Sequence, residues 1–320
     1  MKSIKWLVFF LFPISVLAKD VGGNLGLGGS KLFNTSLSQG LLFNPSNNSQ
    51  KFVLGVDADL AASESLINLS KEDTKIEPGT YQARLSPYYG KENRAEGVAG
   101  VTIGYKGLLI SPLLYLADGE AILNNPAYPN AAALVHMGQG WGIGYGNKIG
   151  RWNFGLSRSV FNVKTIESSA NVLEYRSGVI NNNQEYPATL WNFALGYDFK
   201  FLQLVGSYQT NDLRFIPDHQ FNVGLKTASW SNFTGTVEIH DLNNGISNLE
   251  NQMHVGINYQ LLDFINLEAG LNQLYPTYGI RFKSRLIQIY YEKGGANQYE
   301  QYRNQYDITK VGFSLGWNLP

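Results

Sequence analysis

Residues 253–292 read MHVGINYQLLDFINLEAGLNQLYPTYGIRFKSRLIQIYYE, and their hydrophobic period is two. Met253, Val255, Ile257 and Tyr259 alternate with His254, Gly256, Asn258 and Gln260. Ile265, Leu267, Ala269 and Leu271 alternate with Asn266, Glu268 and Gly270. Tyr278, Ile280 and Phe282 stand against Gly279, Arg281 and Lys283, and Ile287, Ile289 and Tyr291 against Gln288, Tyr290 and Glu292. Successive side chains of a β-strand point to opposite faces. Each run therefore has one large apolar or aromatic face and one small, polar or charged face. The same alternation recurs upstream at Trp191, Phe193, Leu195, Tyr197 and Phe199, and at the end of the chain at Val311, Phe313, Leu315 and Trp317. Lipid or a packed core would satisfy such an apolar face equally well.

The connections separate these two possibilities. Strands are predicted near 309–317, 286–293, 277–283, 264–272, 252–260, 233–240, 220–228, 202–210, 190–199, 151–166, 131–146, 108–118, 97–105 and 80–90. Short links at Ser284-Arg285, 261–263, 229–232, Lys200-Phe201, 147–150 and Lys106-Gly107 alternate with long polar ones at 294–308, 241–251, 211–219, 167–189 and 119–130. Short periplasmic turns alternating with long outer loops are the outer-membrane pattern, and a soluble sandwich has no reason to sort its loops this way. The fold class predicted is all-β, a transmembrane antiparallel β-barrel of about fourteen strands, within 12 to 16. Its C-terminus is expected on the periplasmic side of a bacterial outer membrane. A fifteenth run, Phe52, Leu54, Val56, Ala58 and Leu60, is as regular as any, so one of the weaker runs between 80 and 118 must be false. Leu108 to Leu116 is apolar on both faces and holds Pro112, which belongs at an edge or bulge. Trp152, Phe154 and Leu156 are out of phase with Phe161 and Val163, which predicts a bulge near Arg158 to Val160.

Composition agrees. The 320 residues include no cysteine, 34 glycines, 13% aromatic and only 16% charged side chains, where a soluble domain carries roughly 25% charge. A disulfide scaffold and a thiolate metal site are excluded by the lack of cysteine, and disorder by 19 Tyr, 17 Phe and 6 Trp. A balance of 25 basic against 25 acidic residues implies no nucleic-acid partner. Lys2 and Lys5, the apolar run from Trp6 to Val16 and Val16-Leu17-Ala18 read as a secretory signal over 1–18 with its cleavage site, and no later stretch approaches the length of a membrane helix.

Catalytic signals are weak. Gly312-Phe-Ser-Leu-Gly316 matches the Gly-x-Ser-x-Gly pattern, but it lies in an alternating strand with no His after it, whereas a nucleophile elbow needs a strand turning into a helix. The glycines between 22 and 29 are not followed by Gly-Lys-Ser, so they form no phosphate loop. His136, His219, His240 and His254 are scattered singly, where a zinc site needs clustered ligands. His240 and His254 flank one loop, with Ser247 between them, and read as solvated groups at its base. The chain is expected not to be an enzyme and to carry no cofactor and no metal.

The segment before the first strand carries a family resemblance. Gly26, Gly28 and Gly29 form a glycine cluster, a short helical stretch follows over Thr35 to Leu41, and Phe43-Asn44-Pro45 makes a turn. This start resembles the FadL-like outer-membrane superfamily, which includes the TraF-like conjugal-transfer and PorV-like proteins. Ser46 stands where that turn usually has Ala, and no Gly-Leu follows. Gly256-Ile-Asn-Tyr259, Asn266-Leu-Glu-Ala-Gly270 and Gln288-Ile-Tyr-Tyr291 are similar to strands of the same superfamily.

The resemblance implies an N-terminal plug over 19–50 inside a barrel over 51–320, with Gly26, Gly28, Gly29, Leu41, Leu42, Phe43, Asn44 and Pro45 in the plug. Leu109, Leu113 and Tyr115 are expected to turn inward against it, either to pack the plug or to line a hydrophobic lumen. Charge on a lipid face costs roughly 2–4 kcal/mol at midplane, so Asp57, Asp59, Arg84, Asp198, Glu238, Glu268, Arg281 and Lys283 are expected inside, as salt bridges or as selectivity groups. The functions implied are passive uptake of hydrophobic small molecules, a TraF-like or PorV-like role in conjugation or secretion with other envelope proteins as partners, or a structural porin. Outer-membrane lipid is the partner common to all three.

Overall fold

In a bilayer the backbone must pair with itself, so strands can cross only as a closed sheet. The computed structural model describes residues 32–33, 37–47, 52–71, 86–89, 91, 93–124, 130–171, 180–214, 218–243, 252–284, 286–297 and 305–319. Fourteen antiparallel strands close into one barrel: β1 (Phe52–Ser63), β2 (Asn93–Tyr105), β3 (Leu108–Asn124), β4 (Asn130–Ile149), β5 (Trp152–Asn171), β6 (Ile180–Asp198), β7 (Leu202–Asn211), β8 (His219–Thr227), β9 (Phe233–Ile239), β10 (Met253–Leu262), β11 (Ile265–Asn272), β12 (Tyr275–Lys283), β13 (Ile287–Asn297) and β14 (Gln305–Leu319). Neighbours in sequence pair throughout, and β1 closes on β14 from Phe52↔Leu319 to Ser63↔Ile308. A helix α1 (Leu37–Phe43) precedes the barrel, and α2 (Glu64–Lys71) follows β1.

The period of two becomes an inside and an outside. On β1 Val53, Asp57, Asp59 and Ala61 are buried, while Leu54, Val56 and Leu60 are exposed on the outer face, where lipid would cover them. Strands β4 to β6 are 20, 20 and 19 residues long, about twice the 9–11 that a tilted strand needs to cross. With β3, which reaches Asn124, β5 and β6 run on into what the sequence reads as the long loops 119–130 and 167–189. The turn at Lys106-Gly107 has φ of 47° and 84°, which fits a two-residue hairpin whose twist matches its strands. Gln273 and Leu274 make an equally short turn at the opposite end of the barrel, with φ of 52° and 69°.

Three expectations change. The surplus run is 80–90: Ser86–Tyr88 is a single 3-10 turn and 80–85 lie outside the described residues, whereas Phe52–Ser63 is a full strand. The predicted bulge in β5 is absent, since β5 pairs with β4 without interruption from Trp152↔Ile149 to Asn171↔Asn130. Phe161 and Val163 change the apolar phase because they point into the barrel, where both are fully buried. Around Pro112 the ladders do slip: β3 shifts register against β4 between Ser111 and Leu114, and against β2 opposite Val101 and Ile103. That slip corrects the face assigned to Tyr115. Leu114 and Leu116 turn inward in its place, and Tyr115 lies outside at 42% exposure.

One wall of the interior is ionic. Arg281 donates from Nε to Glu268 Oε1 at 2.9 Å and from Nη2 to Glu292 Oε1 at 2.9 Å. Its guanidinium lies 4.3 Å from the centre of the Tyr290 ring, and the Tyr290 hydroxyl donates to Asp59 Oδ1. Lys310 is buried beside them, 5.5 Å from the same ring. A buried ion persists only when paired and hydrogen-bonded, and β1, β11, β12, β13 and β14 each contribute one or more members of this set. Gly312 explains the Gly-x-Ser-x-Gly pattern: a Cβ there would collide with the phenol of Tyr290 and with Asp59, while one on Gly316 meets nothing within 4 Å. Gly312→Ala is expected to cost about 1–3 kcal/mol through overpacking and Gly316→Ala less than about 0.5 kcal/mol, read from urea unfolding in lipid vesicles. Equal effects at the two glycines would contradict this role for Gly312.

Candidate functional site

The interior beside β1 to β6 and β8 holds the N-terminal segment, where glycines of the wall leave room for it. Cβ atoms built on Gly100, Gly144 and Gly224 would come within 2.9 Å of Ser38, 2.6 Å of Leu41 and 2.9 Å of Leu32 respectively. One on Gly155 would overlap the backbone of Pro45 and Ser46. Gly144 is also the cross-strand partner of Leu109, which is fully buried, so Leu41 sits over that part of β3 and β4.

Polar anchors fix the segment at three places around the barrel. Asp57 Oδ2 on β1 accepts the Ser38 N–H at 3.0 Å and the Ser38 hydroxyl at 2.9 Å, and its Oδ1 accepts the Ser314 hydroxyl at 2.7 Å. A carboxylate at the first turn of α1 meets backbone N–H groups that have no partner within the helix. On β5 the Ser157 hydroxyl donates to the carbonyl of Leu41. On β9 Glu238 Oε2 accepts the Leu32 N–H at 3.1 Å, and the carbonyl of Leu32 accepts from Asn44 Nδ2 at 2.6 Å.

Beyond these anchors the wall is apolar. Leu42 of α1 packs with Val98, Leu114, Leu116, Phe161, Val163, Ala188, Leu190 and Leu213 in one buried cluster, with Phe43 and Tyr186 at its edge. The outward positions beside it on β5 include exposed Asn162, so this stretch of β5 has reversed the usual polarity of a membrane strand. A cavity of about 1430 Å³ adjoins the cluster. It is lined by inward-facing Val98, Leu116 and Gly138, by Pro112 and Leu113 at the slipped ladder, and by outward-facing Tyr115 and Trp141.

The residues singled out from the sequence divide as follows. Leu41, Leu42, Asn44 and Pro45 are buried and Phe43 is half-buried, while Gly26, Gly28, Gly29 and Arg84 lie outside the described residues. Asp57, Asp59, Glu238, Glu268 and Arg281 are buried inside the barrel. Asp198 sits at the rim with Lys148 and accepts from Asn153 Nδ2 at 2.9 Å, and Lys283 is exposed at the same end. His240 and His254 are not solvated: both are buried, their rings stack at 3.9 Å, and His240 Nε2 lies 2.7 Å from Glu238 Oε2. Ser247 lies outside the described residues. Among the described residues no three His, Asp or Glu side chains come together as a metal would need.

Sequence reasoning missed Glu292, Lys310 and Tyr290 of the ionic wall, and a second set in which Arg94 bridges Glu96 at 3.1 Å and Asp118 at 3.1 Å. Lys310 was within reach, since it alternates with Val311 and Phe313 and so had to face inward. Phe161 and Val163 stand out in the sequence by their change of phase, and an apolar inner wall explains it without a bulge.

No family model matches the sequence, and no curated protein does. Solved structures do resemble the barrel. The toluene transporter TbuX of Ralstonia pickettii aligns with a TM-score of 0.57 at 8% identity, over 95% of this chain and 100% of that one. The TodX monoaromatic hydrocarbon channel aligns as its deltaS2S3 mutant with a TM-score of 0.55 at 9% identity, over 93% and 99% of the two chains. Its deltaS2 mutant gives 0.52 at 11% identity, over 95% and 100%. Identities this low speak for the fold alone: the chain shares the barrel fold of these three structures, closed here with fourteen strands.

Proposed function

We propose that the protein is a passive outer-membrane channel for hydrophobic small molecules, closed by its own N-terminal segment over 19–50 and carrying its C-terminus in the periplasm. The observation behind this reading is the apolar inner wall, where Phe161, Val163, Leu114, Leu116 and Leu190 face the lumen. An aqueous pore has no use for such a surface, whereas a site for apolar molecules is lined by apolar groups with a few polar ones. The cavity at the slipped β3 ladder supports the reading too. Its lining runs from β12 round to β6 and includes inward Val98, Leu116, Asp59 and Tyr290 and outward Tyr115, Trp141 and Phe313, which would let an apolar solute pass between lumen and bilayer. The toluene and hydrocarbon named for the structural neighbours belong to the same class of solute. The Asp57, Ser157 and Glu238 contacts support the plug. The links at the β14 end are mostly the shorter ones, which supports the orientation, although Gln273-Leu274 and the five-residue link between β3 and β4 are as short.

Two experiments test the reading. Asp57→Ala removes the carboxylate at the start of α1, which is worth about 1 kcal/mol for a capping group. Protease cleavage within 37–47 is expected to quicken roughly fivefold while the barrel keeps its heat-shifted mobility, and an unchanged cleavage rate would show that the segment is not held there. In vesicles with a lipopolysaccharide outer leaflet, the wild type is expected to admit a fluorescent aromatic hydrocarbon faster than protein-free vesicles do. Phe161→Asp, which buries an unpaired charge in the apolar cluster, is expected to slow entry by roughly tenfold or more. Entry no faster than in protein-free vesicles would rule out uptake.

A further inference from the structure

We infer that Asn192 and Ser159 form a polar recognition point inside the barrel for apolar molecules that carry one uncharged hydroxyl or carbonyl group. The inference rests on the uptake reading and specifies its class of solute. Asn192 on β6 is fully buried, cross-strand from Ser157 on β5 and Gln209 on β7. Among the described residues neither its amide oxygen nor its amide nitrogen has a hydrogen-bond partner, and the buried hydroxyl of Ser159 has none either. Ser157 gives its hydroxyl hydrogen to the carbonyl of Leu41 and makes no hydrogen bond with the amide opposite it. A primary amide carries two donor hydrogens and an acceptor oxygen. Folded proteins rarely bury such a group with both ends unpaired, and when they do the group usually has a use.

Its position supplies the use. Ser159 lies diagonally across from Asn192, at a spacing of roughly 7–8 Å in an antiparallel pair, on the same inward face. Two residues further along each strand stand Phe161 and Leu190, both within the apolar cluster. The segment α1 and the Pro45–Asn47 turn pack over β5 and β6 and roof this part of the lumen. A molecule with its apolar body along Phe161, Leu190 and Leu114 would set its polar end against Asn192. The inward positions 153–163 of β5 and 190–196 of β6 hold no charged side chain. A carboxylate would find no counter-ion there and a pure hydrocarbon would leave the amide unpaired, while an alcohol, a phenol or a ketone satisfies it.

The test uses the full chain in lipid nanodiscs, titrated calorimetrically with benzyl alcohol, toluene and benzoate at neutral pH. Asn192→Leu keeps the volume and removes the amide. It is expected to weaken benzyl alcohol roughly tenfold and to leave toluene unchanged or tighter, with benzoate the weakest ligand of the wild type. Ser159→Ala is expected to shift the alcohol in the same direction by less, and it decides the matter alone should Asn192→Leu fail to reach the heat-shifted folded form. If toluene binds and the substitutions weaken all three compounds alike, or none of them, the recognition point is wrong and uptake stands. Benzoate bound as tightly as the alcohol would overturn the uncharged class. A wild type that binds none of the three overturns the uptake reading together with this one.

Discussion

A bilayer supplies no hydrogen-bond partner for a peptide group, and every other feature of this molecule follows from that constraint. The sheet has to close, and β1 does so by pairing along its whole length with β14. Closure with neighbouring strands antiparallel allows only an even number of strands. That requirement excludes the weaker run at 80–90 in favour of the regular Phe52–Ser63. Closure also gives every strand residue a side. Once β1 is fixed, an outward Leu54 and an inward Asp57 are no longer independent choices.

A closed barrel of this girth must then fill its interior, and it does so in two different ways. On β1 and β11 to β14 the filling is ionic: Arg281 is shared between Glu268 and Glu292, and Tyr290 reaches over Gly312 to Asp59. These charges cannot face lipid, and inside they are tolerable because each is paired. On β2 to β6 the filling is mostly chain and grease, apart from the Arg94, Glu96 and Asp118 set on β2 and β3. Gly100, Gly144 and Gly155 give up their side-chain volume to the N-terminal segment, and above it Leu42 meets Phe161 and Leu116. The ionic half resists rearrangement, since removing one partner strands the others. The apolar half is held at its edge by a few capping contacts, and contact loss there is cheaper. Any movement that opens the lumen is therefore expected on the α1 side.

Much of this was legible in the sequence, because a period of two reports a fixed physical alternation. Runs such as Ile265 to Leu271 and Ile287 to Tyr291 became strands with the faces they advertised. The errors fell where one residue type answers to two environments. Phe161 and Val163 are apolar, and an apolar residue in a membrane strand is read as lipid-facing unless something says otherwise. Here both face a greasy lumen, so their change of phase looked like a bulge in a backbone that is in fact regular. At Pro112 the reverse occurred. The proline did signal an irregularity, but not its size, and a slip of the ladder moved Tyr115 to the outside and brought Leu114 and Leu116 in.

The sequence by itself determined the class of fold, the regular strands and the confinement of charge to one face, because each depends on the transfer cost of single side chains and on a period fixed by strand geometry. It also marked the N-terminal stretch as different from the rest, through its lack of alternation. Only the tertiary structure decided which charges meet, as with Lys310 and Glu292 beside Arg281, since partners on separate strands are set by register and closure. It alone showed that Gly312 serves Tyr290, that His240 and His254 are buried and stacked, and that among the described residues the buried Asn192 amide has no partner. Those facts depend on what lies across the lumen, and a linear pattern carries no information about the opposite wall.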